Sequence, residues 1–241
     1  MSLFTRRLAL RSALGVAAIG MAGVTSRAIA QPIVPLPDQP MRLTRRLIRG
    51  LSGGSNLIVE REWQILFSAT ETGISISGNQ IGVIVDTPPA IEQLAQIERQ
   101  RSTADFFPIL LTDAGEIATA GRFTREQDVD LAVSAAEDVF AHSANANSEN
   151  AQRVQYLAQL HRVSGSIFQQ FPPDLFYPRG QDTRTVRPVE LPDGSVGEFE
   201  LTYTSRAVPE LGWLEHAQRD VITRIGYNAR QSSEIWSLAR I

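Results

Sequence analysis

The run "LIVEREWQILF" at residues 57–67 alternates between apolar and polar side chains. Its main apolar residues share one parity: Val59, Trp63, Ile65 and Phe67. Its polar residues on the opposite parity are Glu60, Glu62 and Gln64. Because successive side chains of a strand point to opposite faces, this period of two predicts a β-strand with one face in the core.

Two further strands are expected downstream of this run. The stretch "ISIS" at 74–77 alternates, Gly78-Asn79 marks a turn, and "IGVIVD" at 81–86 is another apolar run. Short connections that contain glycine separate the three segments. This spacing predicts an antiparallel meander.

Upstream, the stretch at residues 41–51 interleaves leucines with arginines. Leu43, Leu47 and Leu51 fit an exposed strand with long arginine side chains, or a short amphipathic helix with leucines at i, i+4 and i+8. We favour the strand because the segment that follows it is β. A glycine pair then ends the element.

Helices are expected in the middle of the chain. The first segment opens with Thr-Pro, a favoured helix start, the second with a Thr-x-x-Gln capping box, and the third carries a broad apolar stripe. The three segments are 87–101, 124–140 and 148–171. A hairpin around residues 113–115 is expected between the first two helices.

The last third of the chain returns to β patterns. A Pro-Asp-Gly turn separates "TRTVRPVEL" from "VGEFELTYTSRAV", and two further runs form a closing hairpin about Asn228-Ala229. The chain is therefore predicted to adopt an α+β fold: a curved antiparallel β-sheet of two β meanders, with two to three helices packed across one face. Trp63 and Trp236 should be buried on inward strand faces, and Trp213 should be the most exposed of the three tryptophans.

The beginning of the chain resembles a secretory signal. Arginines precede an uncharged run at residues 13–24, and Ala28 and Ala30 form a small-residue cleavage site. Thr5, the pair Arg6-Arg7, Leu10 and Arg11 resemble the bacterial twin-arginine signal, although Ala9 stands where that signal usually has Phe. The alternative is an ordinary secretory signal that holds two arginines.

This resemblance implies export to the periplasm, with the twin-arginine translocase as a partner. Three segments are then expected: a cleaved signal peptide at 1–30, a proline-rich lead-in at 31–40 and a single α+β domain at 41–241.

Composition excludes several classes of function. The 241 residues include no Cys and no Lys, so disulfides, thiolate chemistry and Schiff bases are excluded. Removing residues 1–30 takes away four Arg and no acid, which leaves 19 basic and 26 acidic residues and a formal charge of −7. This charge argues against nucleic-acid binding. No apolar run is long enough to span a membrane in the mature chain.

The sequence holds no recognisable catalytic or metal motif. His142, His161 and His216 lack metal-ligand spacing, and neither a Gly-x-Ser-x-Gly nor a Gly-x-Gly-x-x-Gly motif occurs. We therefore predict no catalytic residue, metal ligand or cofactor.

Ligand-binding candidates come from charges placed among apolar residues. Arg61 shares the parity of Trp63, and Arg206 lies near the end of the strand that carries Tyr203. A charge that points inward needs a partner, a sheet edge or a wet cavity. These four residues are the predicted ligand-binding set: Arg61, Trp63, Tyr203 and Arg206. Half-barrel lipoprotein carriers resemble the expected architecture, but fold does not determine function.

The sequence thus favours an exported soluble periplasmic protein that acts by binding an apolar or amphipathic, lipid-like ligand or an envelope protein. Two alternatives remain open. One is a cofactor-free hydrolase in which Glu215 and His216 converge with an Arg or Asp at a cleft. The other is a structural envelope assembly factor with a large exposed apolar patch.

Overall fold

The computed structural model describes residues 33–51, 55–89, 92–118, 171–191 and 193–241. Within these residues the chain forms eight β-strands in one antiparallel sheet. The strands are β1 (Met41–Gly50), β2 (Asn56–Thr70), β3 (Gly73–Asp86), β4 (Ile109–Leu111), β5 (Thr183–Glu190), β6 (Val196–Ala207), β7 (Leu214–Ile225) and β8 (Asn228–Arg240).

The order of strands across the sheet is β4-β3-β2-β1-β8-β7-β6-β5. Strands β1 to β4 form one meander and β5 to β8 form the other. The two meanders meet in the middle of the sheet, where β1 pairs with β8 and Met41 lies opposite Arg240. The strand predicted for residues 41–51 is confirmed, and it occupies the centre of the sheet instead of an edge.

The predicted α+β class is wrong for the part of the chain that the structure describes. That part contains one α-helix, α1 (Glu92–Gln100), followed by a short 3₁₀ turn at Ala104–Phe106. The helices predicted for 124–140 and 148–171 lie outside the described residues, except for Phe171 at the end of the second range. Long strands such as β2, with 15 residues, make the described fold predominantly β.

The turn predicted at Gly78-Asn79 is also wrong. Both residues lie inside the continuous strand β3, where Gly78 pairs with Ile65. A Cβ atom on Gly78 would approach both an Ile65 methyl carbon and the Phe107 ring to 2.8 Å. Because Gly78 has no side chain, Ile65 and Phe107 can pack closely against β3. The glycine therefore serves this contact and does not form the predicted turn.

One face of the sheet, which we call the inner face, carries the main hydrophobic core. Register places Leu43 opposite Trp63 on β2 and opposite Leu238 on β8, so these side chains share this face. Trp63 and Trp236 are 1% and 0% exposed, as the alternation predicted. Burying such large aromatic rings contributes strongly to the stability of the sheet.

The described part of the lead-in, residues 33–40, forms no strand or helix but is anchored to the core. The Pro35 carbonyl oxygen accepts hydrogen bonds from the Tyr177 hydroxyl at 3.0 Å and from Trp213 Nε1 at 2.9 Å. Trp213 is the most exposed of the three tryptophans, as predicted, yet at 5% it is still buried. Its burial depends on contacts with the lead-in that no local pattern around residue 213 indicates.

Candidate ligand-binding site

A row of charged side chains crosses the inner face beside the aromatic core. In antiparallel pairs, directly opposed residues project to the same face. Arg45 on β1 lies opposite Arg61 on β2, and Glu234 on β8 lies opposite Arg219 on β7. The sheet register therefore places three cations and one carboxylate on a largely apolar face.

Glu234 is the anion at the centre of this row and is fully buried. Its Oε1 accepts a hydrogen bond from Arg45 Nε at 2.5 Å, and its Oε2 accepts one from Arg219 Nη2 at 2.5 Å. The Arg219 guanidinium also lies 5.2 Å from the centre of the Trp236 ring, a cation–π contact. One carboxylate is thus shared by two arginines.

Arg61 is held by a different set of groups. It donates hydrogen bonds to Gln80 Oε1 at 3.1 Å and to the Glu98 carbonyl oxygen at 2.6 Å, with a longer contact of 3.3 Å to Glu98 Oε2. Burial lowers the pKa of Arg61, and the hydrogen bond and charge of Glu98 act in the opposite direction. An arginine stays protonated in a protein, so a buried positive charge persists here.

A pocket of about 230 Å³ opens beside this row, between β1, β2 and the end of α1. Its lining includes four arginines and one acid: Arg45, Arg49, Arg61, Arg101 and Glu98. The rest of the lining is mainly apolar: Leu47, Leu57, Val59, Phe106 and Thr103. Strand parity explains this mixture, because β1 places arginine and leucine alternately along its inward positions.

Arg49 lies at the end of this row of inward β1 residues. Burial is the largest cause that lowers the pKa of Arg49, and the nearby positive charges of Arg45 and Arg101 lower it further. Glu98 and Glu234 act in the opposite direction. Water still reaches the Arg49 side chain because the pocket is open. Among the described lining residues, arginines therefore outnumber acids by four to one.

The structure brings only part of the predicted ligand-binding set together. Arg61 lines the pocket, and Trp63 lies behind its wall, where Nε1 donates to the Thr103 hydroxyl at 3.0 Å. Tyr203 is buried on β6 opposite Arg219, on the far side of the charged row. Arg206 is exposed and pairs with Asp182 at 3.0 Å.

Several residues of this site were missed by the sequence analysis. They are Arg45, Arg49, Glu98, Arg101 and Glu234. Strand alternation could have identified two of them. If residues 41–50 form a strand, Arg45 and Arg49 have the same parity as Leu43 and Leu47, so all four side chains face the same side of the sheet. Interpreting the segment as an exposed strand obscured this parity.

The other candidate residues do not contribute to the pocket. Glu215 and His216 lie on β7, are both exposed and are not part of the pocket lining. The remaining histidines and the targeting residues Arg6, Arg7, Ala28 and Ala30 lie outside the described part of the chain. Among the described residues, no group of acids and histidines is arranged to hold a metal ion.

Comparison with known proteins adds no functional information. No protein-family model matches the chain, and no curated protein matches it either. Among the helices that the structure describes, none has both the length and the apolar character needed to cross a membrane.

Proposed function

We propose that this chain is an exported, non-catalytic binding protein whose pocket takes an amphipathic ligand with an anionic group. The observation that carries the proposal is the described part of the pocket lining, in which four arginines and one acid adjoin an apolar wall. A pocket with apolar surface and a few convergent polar groups is the usual form of a small-molecule site. The excess of arginine favours a negatively charged group on the ligand.

This chemistry narrows the range of ligands expected from the sequence. A purely apolar ligand would cover Arg49 and Arg101 without replacing the water that solvates them, which is unfavourable. A purely polar anion would leave Leu47, Leu57 and Val59 in contact with water. An amphipathic anion satisfies both parts of the lining.

The two alternative functions receive less support from the described residues. Glu215 and His216 do not line the pocket, as the hydrolase hypothesis requires. For the assembly-factor hypothesis, Leu66, Ile81 and Ile84 are exposed apolar residues. Polar residues such as Glu60, Glu62 and Gln64 separate Leu66 from Ile84 along the paired strands β2 and β3. A pull-down from periplasm would detect binding of an envelope protein.

Export through the twin-arginine pathway is part of the proposal. Fusing residues 1–35 to a reporter that folds before export should deliver the reporter to the periplasm. Replacing Arg6 and Arg7 together with Lys should stop delivery. The matched control replaces Arg42 and Arg46 of β1 with Lys in the full-length protein, which should still be exported. Continued export of the Arg6/Arg7 variant would contradict the pathway.

Ligand binding is tested with the purified mature protein. Native mass spectrometry and lipid extraction should reveal a bound amphipathic anion, and calorimetry should detect binding of dodecanoate or dodecyl phosphate. Arg49→Gln should weaken that binding, whereas Arg46→Gln should not, because Arg46 is on the opposite face of β1 and pairs with Glu60. A protein that carries no amphiphile and binds none in solution would overturn the proposal.

A further inference from the structure

We infer that Phe106 closes the inner end of the pocket and limits the alkyl chain of the ligand to about eight carbons. This inference rests on the binding function proposed above and specifies the size of the ligand's apolar part. It follows from the rows of side chains along β1 and β2, the contacts of Phe106 and the volume of the pocket.

The pocket covers three successive rows of inward-facing side chains. Each row pairs one residue of β1 with one of β2, and the rows in order are Arg49 with Leu57, Leu47 with Val59, and Arg45 with Arg61. All six residues line the pocket. Successive inward positions are about 6.6 Å apart in a strand, so the first and third rows are separated by about 13 Å.

The two ends of these rows differ in their access to solvent. Arg49 is exposed, and β1 ends at the next residue, Gly50. Arg61, in contrast, is 5% exposed. Burying a charged group away from water is costly, so the anionic group of the ligand should stay at the Arg49 end. The alkyl chain then crosses Leu57 and Val59 towards Arg61.

Phe106 lies at the buried end of the pocket and is part of its lining. Its ring centre is 6.0 Å from that of Trp63, which occupies the inward position of β2 that follows Arg61. It is also 5.9 Å from the ring centre of Phe171, in an edge-to-face arrangement. A chain that passes the third row therefore meets an aromatic side chain packed against two others.

Hydrogen bonds hold the turn that carries Phe106 in place. The Phe106 amide donates to the Thr103 carbonyl oxygen at 3.1 Å. The Thr103 hydroxyl accepts a hydrogen bond from Trp63 Nε1 at 3.0 Å and donates one to Gln80 Oε1 at 2.8 Å. Arg61 donates to the same Gln80 oxygen. Because these bonds join the turn to β2 and β3, a longer chain could push Phe106 aside only by breaking buried hydrogen bonds.

The volume of the pocket leads to the same limit. The pocket measures about 230 Å³. A methylene group is similar in size to a water molecule, whose share of liquid volume is about 30 Å³, so about eight methylene groups fill the pocket. Carbon–carbon bonds of about 1.5 Å advance an extended chain by about 1.3 Å each, so eight carbons cover about 10 Å of the roughly 13 Å between the rows.

The experiment measures the affinity of straight-chain carboxylates by isothermal titration calorimetry at pH 8, below micellar concentrations. The probes are hexanoate, octanoate, decanoate and dodecanoate. Each methylene group that enters the pocket should strengthen binding about fourfold, so octanoate should bind at least about tenfold more tightly than hexanoate. Dodecanoate should exceed decanoate by less than about threefold, because its last two carbons remain outside the filled pocket.

The outcomes separate this inference from the function on which it rests. A gain of about sixteenfold from decanoate to dodecanoate would overturn the length limit and leave a protein that binds longer amphiphiles. Equal affinity of all four probes would overturn the amphipathic ligand class, because the alkyl chain would then contribute nothing. Failure of every probe to bind would overturn the proposed function itself.

Variants of two neighbouring phenylalanines test whether Phe106 sets the limit. Phe106→Ala should raise the ratio of dodecanoate to decanoate affinity at least about threefold, because the chain gains the space of the ring. Phe107→Ala is the matched control and should keep the parent ratio, since Phe107 is also half-buried but is not among the described lining residues.

Thermal melting verifies that both variants fold. If Phe106→Ala is unfolded, Phe106→Leu takes its place, with a smaller rise in the same ratio. An unchanged ratio in a folded Phe106 variant, or an equal rise in Phe107→Ala, would overturn the inference.

Discussion

Arginines occur in two contrasting settings in this sheet: the pocket on the inner face, and a ladder on the opposite face of β5, β6 and β7. In the ladder, Glu200 accepts hydrogen bonds from Arg184 Nε at 2.6 Å and from Arg224 Nη1 at 2.7 Å. Arg224 also pairs with Glu198. Two arginines thus meet two glutamates, and the ladder is electrically balanced.

Among the described residues, the pocket differs in that its arginines outnumber its acids and in that the cation Arg61 is buried, whereas Arg184 and Arg224 of the ladder reach solvent. A balanced ladder whose arginines reach solvent supports strand pairing and needs no further partner. An unbalanced group in a recess gains by attracting an anion from solution. The contrast indicates that the balance of charge, more than the number of arginines, distinguishes a binding surface from a structural one.

The largest expected effect comes from removing the carboxylate that holds the buried row together. Glu234→Gln leaves Arg45 and Arg219 without their shared anion, and breaking a buried charge pair costs about 3–5 kcal/mol. Chemical denaturation should show this loss of unfolding free energy. If Glu234→Gln were as stable as the parent protein, the buried row would not be an essential part of the core.

The next effect concerns Glu98, the acid among the described lining residues. Glu98 lies 3.3 Å from Arg61 and 3.6 Å from Arg101, so it competes with a ligand anion for both cations. Glu98→Gln should tighten binding of dodecyl phosphate by roughly two- to fivefold, the range expected for one partly exposed ion pair. Calorimetry measures the change.

Glu60→Gln is the charge-matched control for this prediction. Glu60 lies on the opposite face of β2 and pairs with Arg46 at 3.2 Å. It should change the affinity much less than Glu98→Gln. An equal gain in both variants would show that net charge alone acts, without local competition in the pocket.

A smaller effect is expected in the balanced ladder. Arg224→Gln removes one of two cations from the buried Glu200, but Arg184 remains and both arginines reach solvent. The unfolding free energy should fall by less than about 1 kcal/mol, well below the loss for Glu234→Gln. A loss as large as that of Glu234→Gln would contradict the assignment of the ladder as a weakly stabilising surface feature.

The smallest effect is a change in titration of the ladder. Hydrogen bonds from Arg184 and Arg224 lower the pKa of Glu200 below its usual value. A lowered pKa stabilises the fold at pH values above the unfolded pKa of about 4.3, and this contribution disappears as pH falls through the lower folded pKa. Carboxyl NMR should show the Glu200 pKa rising in Arg224→Gln. A pKa that stayed unchanged would mean that Arg224 does not act on Glu200 in solution.

Much of the strand content could be predicted from local patterns. The alternation around Trp63 predicted both a strand and a buried ring, and the Asp193-Gly194 pair predicted the turn where Gly194 adopts a positive φ of 78°. These features depend on residues close together in the chain.

The helix expected after Thr87 was confirmed only as the shorter α1. The prediction of a turn at Gly78 was wrong because glycine occurs both in turns and at close packing contacts. Only the position of Phe107 in the folded chain distinguishes these two roles.

The sequence by itself therefore determined the strands, their inward parity and the burial of Trp63 and Trp236, because a period of two is a local property of the chain. Tertiary structure decided which strands are neighbours and hence which charges meet. Glu234 reaches Arg45 across 189 residues, and Trp213 is buried through Pro35 across 178 residues. The pocket forms where the end of α1 lies beside β1 and β2, and β8 of the second meander brings Glu234 to Arg45 of its lining. Such long-range pairing leaves no periodic trace in either segment alone.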